Sequence, residues 1–492
     1  MITKSNYVSF CKCPKSLYLS LFKKEEAEIN EESIRKGNEV GALARSLFGE
    51  YVLVGEDTLD CNAKVEQTKK FIEEGKEVIC EASFMFKDLF CAVDILKKVN
   101  DGYELYEVKS VTNLDKETML HYCQDIAFQT YVLSKLGYNV VSANLVVLNS
   151  KYNRSGDLDL NRLFKIVRVD EDEVYLKQKT KVRDNIARIR LITDNPRAQV
   201  EGELCSMCTS GKCAFGKYCL RDIKEDSILN LYRCNKKFDL YYSGVENFEA
   251  VLSSDYSLNE IQRRQIDFVL NDRKDTYVNK EKLEDFLEDI KYPIYFLDFE
   301  SINEAIPPYS NCFVYQQLPV QFSLHVLYED GTLEHYEYVG DGVNDPRDDV
   351  ARLLLDYIKD DDGTIVSYNA TFETGRIKTL AEQFNYPALN SLTPRFIDLL
   401  DAFRQGYIYN RKMGHSFSIK STLPALFEND PELNYNSLVD VHNGTDAMKA
   451  YNALKHLDDT AKEETIHNLL KYCELDTYAM VKLYQKLVEL SK

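Results

Sequence analysis

Three short stretches in the C-terminal two-fifths of this 492-residue chain carry carboxylates at spacings that suit divalent-metal chemistry. Asp298-Phe299-Glu300 follows an apolar run, and residues i and i+2 of a strand face one side, so both carboxylates can converge on one ion. Tyr368-Asn369-Ala370-Thr371-Phe372-Glu373 runs from a strand pattern into a helical one. Tyr472-Cys473-Glu474-Leu475-Asp476 lies in a helical stretch, where i and i+4 share a face. Carboxylate oxygens are the ligands that Mg2+ and Mn2+ prefer, and two such ions can clamp the attacking and leaving oxygens of a phosphoryl displacement. Asp398, in the strand-like FIDLLDAF, is a further carboxylate suited to a supporting role.

A second constellation lies near the N-terminus. Asp94 stands in Ala92-Val93-Asp94-Ile95-Leu96, and Glu107-Val108-Lys109 follows after a turn. On adjacent antiparallel strands, Glu107 and Lys109 share a face and can meet Asp94. An Asp and a Glu can hold Mg2+ or Mn2+, while the ammonium positions a nucleophile or neutralises developing charge. Cys205, Cys208, Cys213 and Cys219 crowd into fifteen residues, with Cys11 and Cys13 far upstream. The isolated cysteines 61, 80, 91, 123, 234, 312 and 473 read as small apolar core residues.

The elements that must position these groups can be read from periodicity. Residues 34–48 are helical, and apolar β-rich runs follow at 78–86, 90–99 and 103–111, separated by Lys87-Asp88 and Asn100-Asp101-Gly102 turn chemistry. A helix over 116–136 and a strand over 140–148 complete an α/β core. Residues 226–290 read as a charged helical connector. From 291 the pattern resets, with a strand at 294–297, a hairpin over 320–339 and a strand at 364–368, and helices dominate from 372 to the end. The expected division is therefore 1–225, 226–290 and 291–492.

Composition narrows the class. Hydrophobic residues make up 44%, enough for globular cores. The opening MITKSNYVSF lacks a secretory apolar core, and no run reaches the roughly 18 apolar residues of a membrane span, so a cytoplasmic protein without membrane association is expected. A net charge of −19 argues against coating nucleic acid through bulk electrostatics, and leaves local basic grips such as residues 179–190 and 411–420.

In order and context, the DFE, YNATFE and YCELD stretches resemble the DEDD exonucleases of the RNase H-like superfamily, in the subclass with tyrosine in the third motif (DEDDy). The resemblance implies a mixed sheet flanked by helices and 3′-5′ exonuclease activity. It also implies that Asp298, Glu300, Glu373 and Asp476 ligate two ions while Tyr472 orients the attacking water. Glu373 stands where that superfamily usually has Asp. DFE, YNATFE, HSFSIKSTLP and YCELDT together are similar to an uncharacterised bacterial family in which this domain follows a RecB-like module. Lys420 of the Ser418-Ile419-Lys420 stretch is then a candidate phosphate contact or part of a buried turn.

Cys13-Pro14-Lys15 with Leu17-Tyr18-Leu19, then KGNEVGALARSLF, VDIL, EVK and DIAFQTYVL resemble RecB-type PD-(D/E)xK nucleases. The nearest subgroup is the CRISPR-adaptation type with an iron–sulfur cluster. It implies a restriction-endonuclease-like core with catalytic Asp94, Glu107 and Lys109, and Glu81 assisting. It also implies a [4Fe–4S] cluster on one N-terminal and three C-terminal cysteines, for which Cys13, Cys205, Cys213 and Cys219 are favoured and Cys208 is the spare. Zn2+ on four thiolates is the alternative. Asp125 and Gln129 occupy the family's Gln and Tyr positions, and the early helix lacks its usual histidine. Two readings result. One is a metal-dependent nuclease acting on DNA, or on RNA. The other is a nucleic-acid-binding protein with one or both sites degenerate. An iron–sulfur redox sensor is a third class.

Overall fold

The computed structural model describes residues 1–197, 200, 202–428, 430–435 and 438–492. It is an α/β protein of two compact units, residues 1–221 with 304–316, and residues 222–303 with 317–492.

The first unit is built on a seven-stranded sheet. Its strands are β1 (Ile2–Thr3), β2 (Val52–Leu53), β3 (Val78–Phe86), β4 (Leu89–Val99), β5 (Gly102–Lys109), β6 (Val140–Leu148) and β7 (Phe164–Arg168). They run in the order β2-β3-β4-β5-β6-β7, with β1 pairing parallel to β4. β3, β4 and β5 form the antiparallel meander that the turn residues foreshadow, and β6 joins β5 in parallel across the helix Lys116–Lys135. A parallel neighbour requires such a crossover. Asp115 caps this helix by accepting from the Thr118 amide, the kind of cap worth ~1 kcal/mol. The helix buries Phe128, Val132 and Leu133 against the sheet, beside Ile186 and Ile189 of the helix Glu173–Thr193. Residues 179–190 are thus part of an amphipathic helix with one apolar stripe in the core.

The second unit contains the residues expected as a connector. Phe268 and Leu283, from the helices Glu260–Leu270 and Lys280–Glu288, share one apolar cluster with Ile294 and Phe296, so residues 226–290 help to build this unit's core. The strand β8 (Thr276–Val278) also pairs antiparallel with β14 (Ile408–Asn410). The main sheet comprises β9 (Ile294–Ile302), β10 (Leu318–Leu327), β11 (Leu333–Val339), β12 (Ile365–Ser367) and β13 (Phe396–Asp398). Its order is β11-β10-β9-β12-β13, antiparallel from β9 to β11 and parallel from β9 to β13. The 33-residue helix Asp459–Ser491 packs across β9 and β10 and is capped by Asp458, which accepts from the Ala461 amide. Among the described residues, no helix is long and apolar enough to cross a membrane.

Candidate functional sites

In the second unit, β9 is the central strand, and it carries Asp298 and Glu300 on one face opposite Ser323 and Gln321 of β10. The helix Asp459–Ser491 lays Tyr472, Cys473, Asp476, Thr477 and Met480 inward, a 3.6-residue stripe that brings Asp476 over the same face. Carboxylate oxygens of Asp298, Glu300 and Asp476 lie within 4.8 Å of one another. Glu373, on the first turn of the helix Thr371–Gln383, lines the same cleft of about 240 Å3 together with Lys420 and Tyr472. The four sequence-expected carboxylates and the tyrosine are thus brought together.

Electrostatics of this cleft follow from crowding like charges away from water. Burial, then Asp476, Glu373 and Glu300, push Asp298 well above the usual carboxylate range. Burial, with Asp476 next in weight, lifts Glu300 to about 8. Asp476 is raised to about 6 by burial, tempered by a hydrogen bond from Tyr435. Burial lifts Glu373 to about 8, and its enclosed Oε2 has no hydrogen-bond partner. A buried carboxylate oxygen left without a donor is what a bound cation would satisfy. Burial and the adjacent Asp476 raise the Tyr472 phenol, which therefore stays protonated and able to donate.

Supporting groups surround these side chains. Tyr435 Oη donates to Asp476 Oδ1 at 2.6 Å. Asp398 Oδ1 accepts from the Asn369 amide at 2.8 Å and the Leu400 amide at 3.1 Å, and Arg404 bridges Asp398 and the Asn369 side chain. Asn369 has φ of +78°, so Asp398 pins the turn that leads into the Glu373 helix. Lys420 Nζ donates to the His442 carbonyl at 2.7 Å and lies 5.5 Å from the Tyr435 ring. Arg411 and Lys412 are committed to ion pairs with Glu225 and Asp272, and with Glu428, which leaves Lys420 as the cation of residues 411–420 that faces the cleft. Tyr435 carries no motif, and sequence reasoning missed it.

In the first unit, Asp94 on β4 and Glu107 and Lys109 on β5 meet as the strand spacing suggested. Asp94 Oδ2 accepts from the Val108 amide at 2.8 Å, and Lys109 Nζ donates to Glu107 Oε1 at 2.6 Å and to Asp125 Oδ2 at 2.8 Å. Gln129 Nε2 donates to both Glu107 and Asp125, at 2.8 and 2.9 Å. One further group was not foreseen. Lys4 Nζ sits 3.1 Å from both Glu107 oxygens, 3.6 Å from Asp94 and 3.9 Å from Asp125. Burial lifts Glu107 to about 7, with Asp125 and Asp94 adding to it. Burial also works against Asp125, but Lys109 and Lys4 outweigh it and hold that carboxyl below its usual range.

Glu81 lies beside this cluster with φ of +56°, a left-handed conformation inside a strand, and pairs with Arg45 at 3.0 Å. Such strain in a non-glycine residue costs on the order of 1–3 kcal/mol and collects at functional sites. Glu81, Asp94 and Arg45 line a cleft of about 390 Å3 whose facing helix contributes Gly37, Asn38 and Gly41. Among the described residues that line it there is no histidine.

Cys13, Cys205, Cys208, Cys213 and Cys219 line one cavity of about 370 Å3, so five thiols from both ends of the first unit converge. All five are free thiols. Cys205 and Cys208 sulfurs are 3.9 Å apart, and burial pushes Cys208 up to about 12. Cys11 stands elsewhere, accepting from Asn185 Nδ2 at 3.5 Å. Among the isolated cysteines, 80, 91, 123, 234, 312 and 473 are buried as expected, while Cys61 is half-buried on the first turn of the helix Cys61–Glu73.

Residues 295–418 match a family model described as a domain of unknown function (DUF2779). That stretch holds Asp298, Glu300, Glu373 and Asp398 but stops short of Tyr472 and Asp476. The chain is also similar to "Uncharacterized protein UU173" of Ureaplasma parvum serovar 3 (strain ATCC 700970), 28% identical over 222 residues, which is 40% of this chain. The match covers 31% of that relative's length. No solved structure matches.

Proposed function

We propose that the chain is a metal-dependent nuclease whose second unit hydrolyses phosphodiester bonds from a 3′ end. The observation that carries this reading is the convergence of Asp298, Glu300 and Asp476 oxygens within 4.8 Å. The partnerless Glu373 oxygen enclosed beside them adds to it. Support also comes from the mixed sheet with its β9 carboxylates, the arrangement that the resemblance to RNase H-like DEDDy exonucleases implies. Asp298, Glu300, Glu373 and Asp476 would hold Mg2+ or Mn2+, whose chemistry when bound is Lewis-acid stabilisation of the phosphate and acidification of the attacking water.

The chain's own residues do the rest. The protonated Tyr472 phenol orients the attacking water by donating or accepting a hydrogen bond at the cleft. Lys420 places its ammonium where the phosphate oxygens gain charge. Tyr435 fixes the orientation of Asp476. Next to this cleft and sharing Lys420 with it, a groove of about 650 Å3 is lined by Pro424, Phe427, Pro431, Leu433 and Tyr435, surfaces on which an unpaired base can stack. DNA is the preferred substrate of this reading, and RNA remains the alternative. Incubating the purified chain with 5′-labelled single-stranded DNA and RNA in Mg2+ or Mn2+ tests it. A ladder that shortens from the 3′ end supports it, and intact substrate in every condition refutes it.

For the first unit, Asp94, Glu107 and Lys109 support a second, RecB-like PD-(D/E)xK nuclease site. One observation favours a competing reading of that unit, in which it binds nucleic acid without cutting. The Lys4 ammonium stands among the carboxylates that would hold the ion. For the cysteine cavity, five converging thiols support a [4Fe–4S] cluster held by Cys13, Cys205, Cys213 and Cys219. Zn2+ is the alternative, since two thiolates on one zinc stand about 3.8 Å apart, close to the Cys205–Cys208 spacing.

A further inference from the structure

A second group of ligand atoms lies in the second unit, outside the carboxylate cleft. His325 of β10 and His335 of β11 face each other in register, their rings stacked with centroids 4.3 Å apart. Glu474, on the helix Asp459–Ser491, brings its Oε1 to 3.8 Å from His335 Nδ1. One ligand atom from each of the three residues falls within 4.8 Å of the others.

Each imidazole is already oriented by a hydroxyl. His325 Nδ1 is bonded to Thr477 Oγ1 at 2.8 Å, and His335 Nε2 to Ser323 Oγ at 2.9 Å, while the two hydroxyls meet at 2.7 Å. Fixing one ring nitrogen and leaving the other to a metal is the arrangement that supporting groups give to ligating histidines. Burial, reinforced by His335, pushes His325 down to about 3, so its ring is neutral and keeps a lone pair.

We propose that His325, His335 and Glu474 bind one divalent transition-metal ion of the zinc class. Two imidazoles and a carboxylate suit Zn2+ and its neighbours, whereas Mg2+ takes oxygen ligands. His325 is buried, His335 partly so, and the Glu474 side chain is 49% exposed, so water can complete the coordination. The ion ties the β10–β11 hairpin to the helix that carries Tyr472 and Asp476, and it does so whether or not the carboxylate cleft is a nuclease site.

The test uses the full-length chain, stripped with chelator and titrated with Zn2+ by calorimetry. Wild type binds one equivalent more than Glu474→Gln or His335→Gln, and the cysteine cavity, common to all three, cancels in the comparison. Thr477→Val retains that equivalent with roughly 10–100-fold weaker affinity. Asp298→Asn leaves it intact. Equal stoichiometry and affinity in wild type and Glu474→Gln, a half-exposed substitution that spares the core, would overturn the site. So would a Glu474→Gln, Asp298→Asn double variant that binds as much Zn2+ as Asp298→Asn alone, which would assign the ion to the carboxylate cleft.

Discussion

Tyr435 Oη donates to Asp476 Oδ1 at 2.6 Å, joining two residues 41 positions apart at the buried edge of a carboxylate cleft. A phenol that supports a metal-binding carboxylate sets its orientation and its acidity. Tyr435→Phe keeps the ring and removes the donor. We expect Mn2+ affinity to fall roughly 10–100-fold, the usual loss for such a partner, with the fold unchanged by circular dichroism. Wild-type affinity in Tyr435→Phe would remove Tyr435 from the site.

The raised carboxyls make a pH prediction for the metal-free protein. Glu300 and Glu373 move from 4.5 to about 8, and Asp476 from 3.8 to about 6. The folded chain therefore holds protons that the unfolded chain has released, and stability falls as pH rises from about 4.5 to about 8. Urea midpoints should drop across that window, less steeply in Glu373→Gln. Saturating Mn2+ should reverse the trend, because the ion binds the ionised form. A midpoint that climbs with pH in chelator, or a slope identical in Glu373→Gln, would contradict the assignment.

Lys4 competes with any cation for Glu107, Asp94 and Asp125. Lys4→Ala should tighten Mn2+ binding at the first unit on the order of tenfold, the equivalent of about 1.4 kcal/mol. Reading this in an Asp298→Asn background isolates it from the second unit. Weaker binding in Lys4→Ala would show that the ammonium supports the site.

The cysteine cavity predicts a coloured protein. Chain purified without oxygen should absorb in the visible and carry about four irons, as a [4Fe–4S] cluster requires. Cys13→Ser should lose iron and lower the melting temperature of the first unit, since thiols from its two ends no longer share one clasp. Colourless protein that holds one zinc would select the alternative metal.

How much was legible in the sequence depended on the range of the interaction. The β3–β4–β5 meander, its turns and the following helix are local patterns, and their boundaries agree to within a residue or two. Asp298 with Glu300, and Tyr472 with Asp476, were readable because strand and helix periods place them on one face. Lys4 was not readable. It reaches Glu107 across 103 positions through the pairing of β1 with β4, and no local spacing encodes that. Residues 304–316 belong to the first unit although they lie between strands of the second, a return of the chain that periodicity cannot announce. Residues 226–290 misled because spaced Leu and Phe describe a connector helix and a core helix equally well.

The most direct test is Mn2+-dependent degradation of 5′-labelled single-stranded DNA by wild type, Asp94→Ala and Asp298→Ala, assayed separately. We predict 3′-end shortening by wild type and Asp94→Ala, and its loss, by at least about a thousandfold, in Asp298→Ala. Undiminished shortening in Asp298→Ala would contradict the assignment of the carboxylate cleft as the catalytic centre.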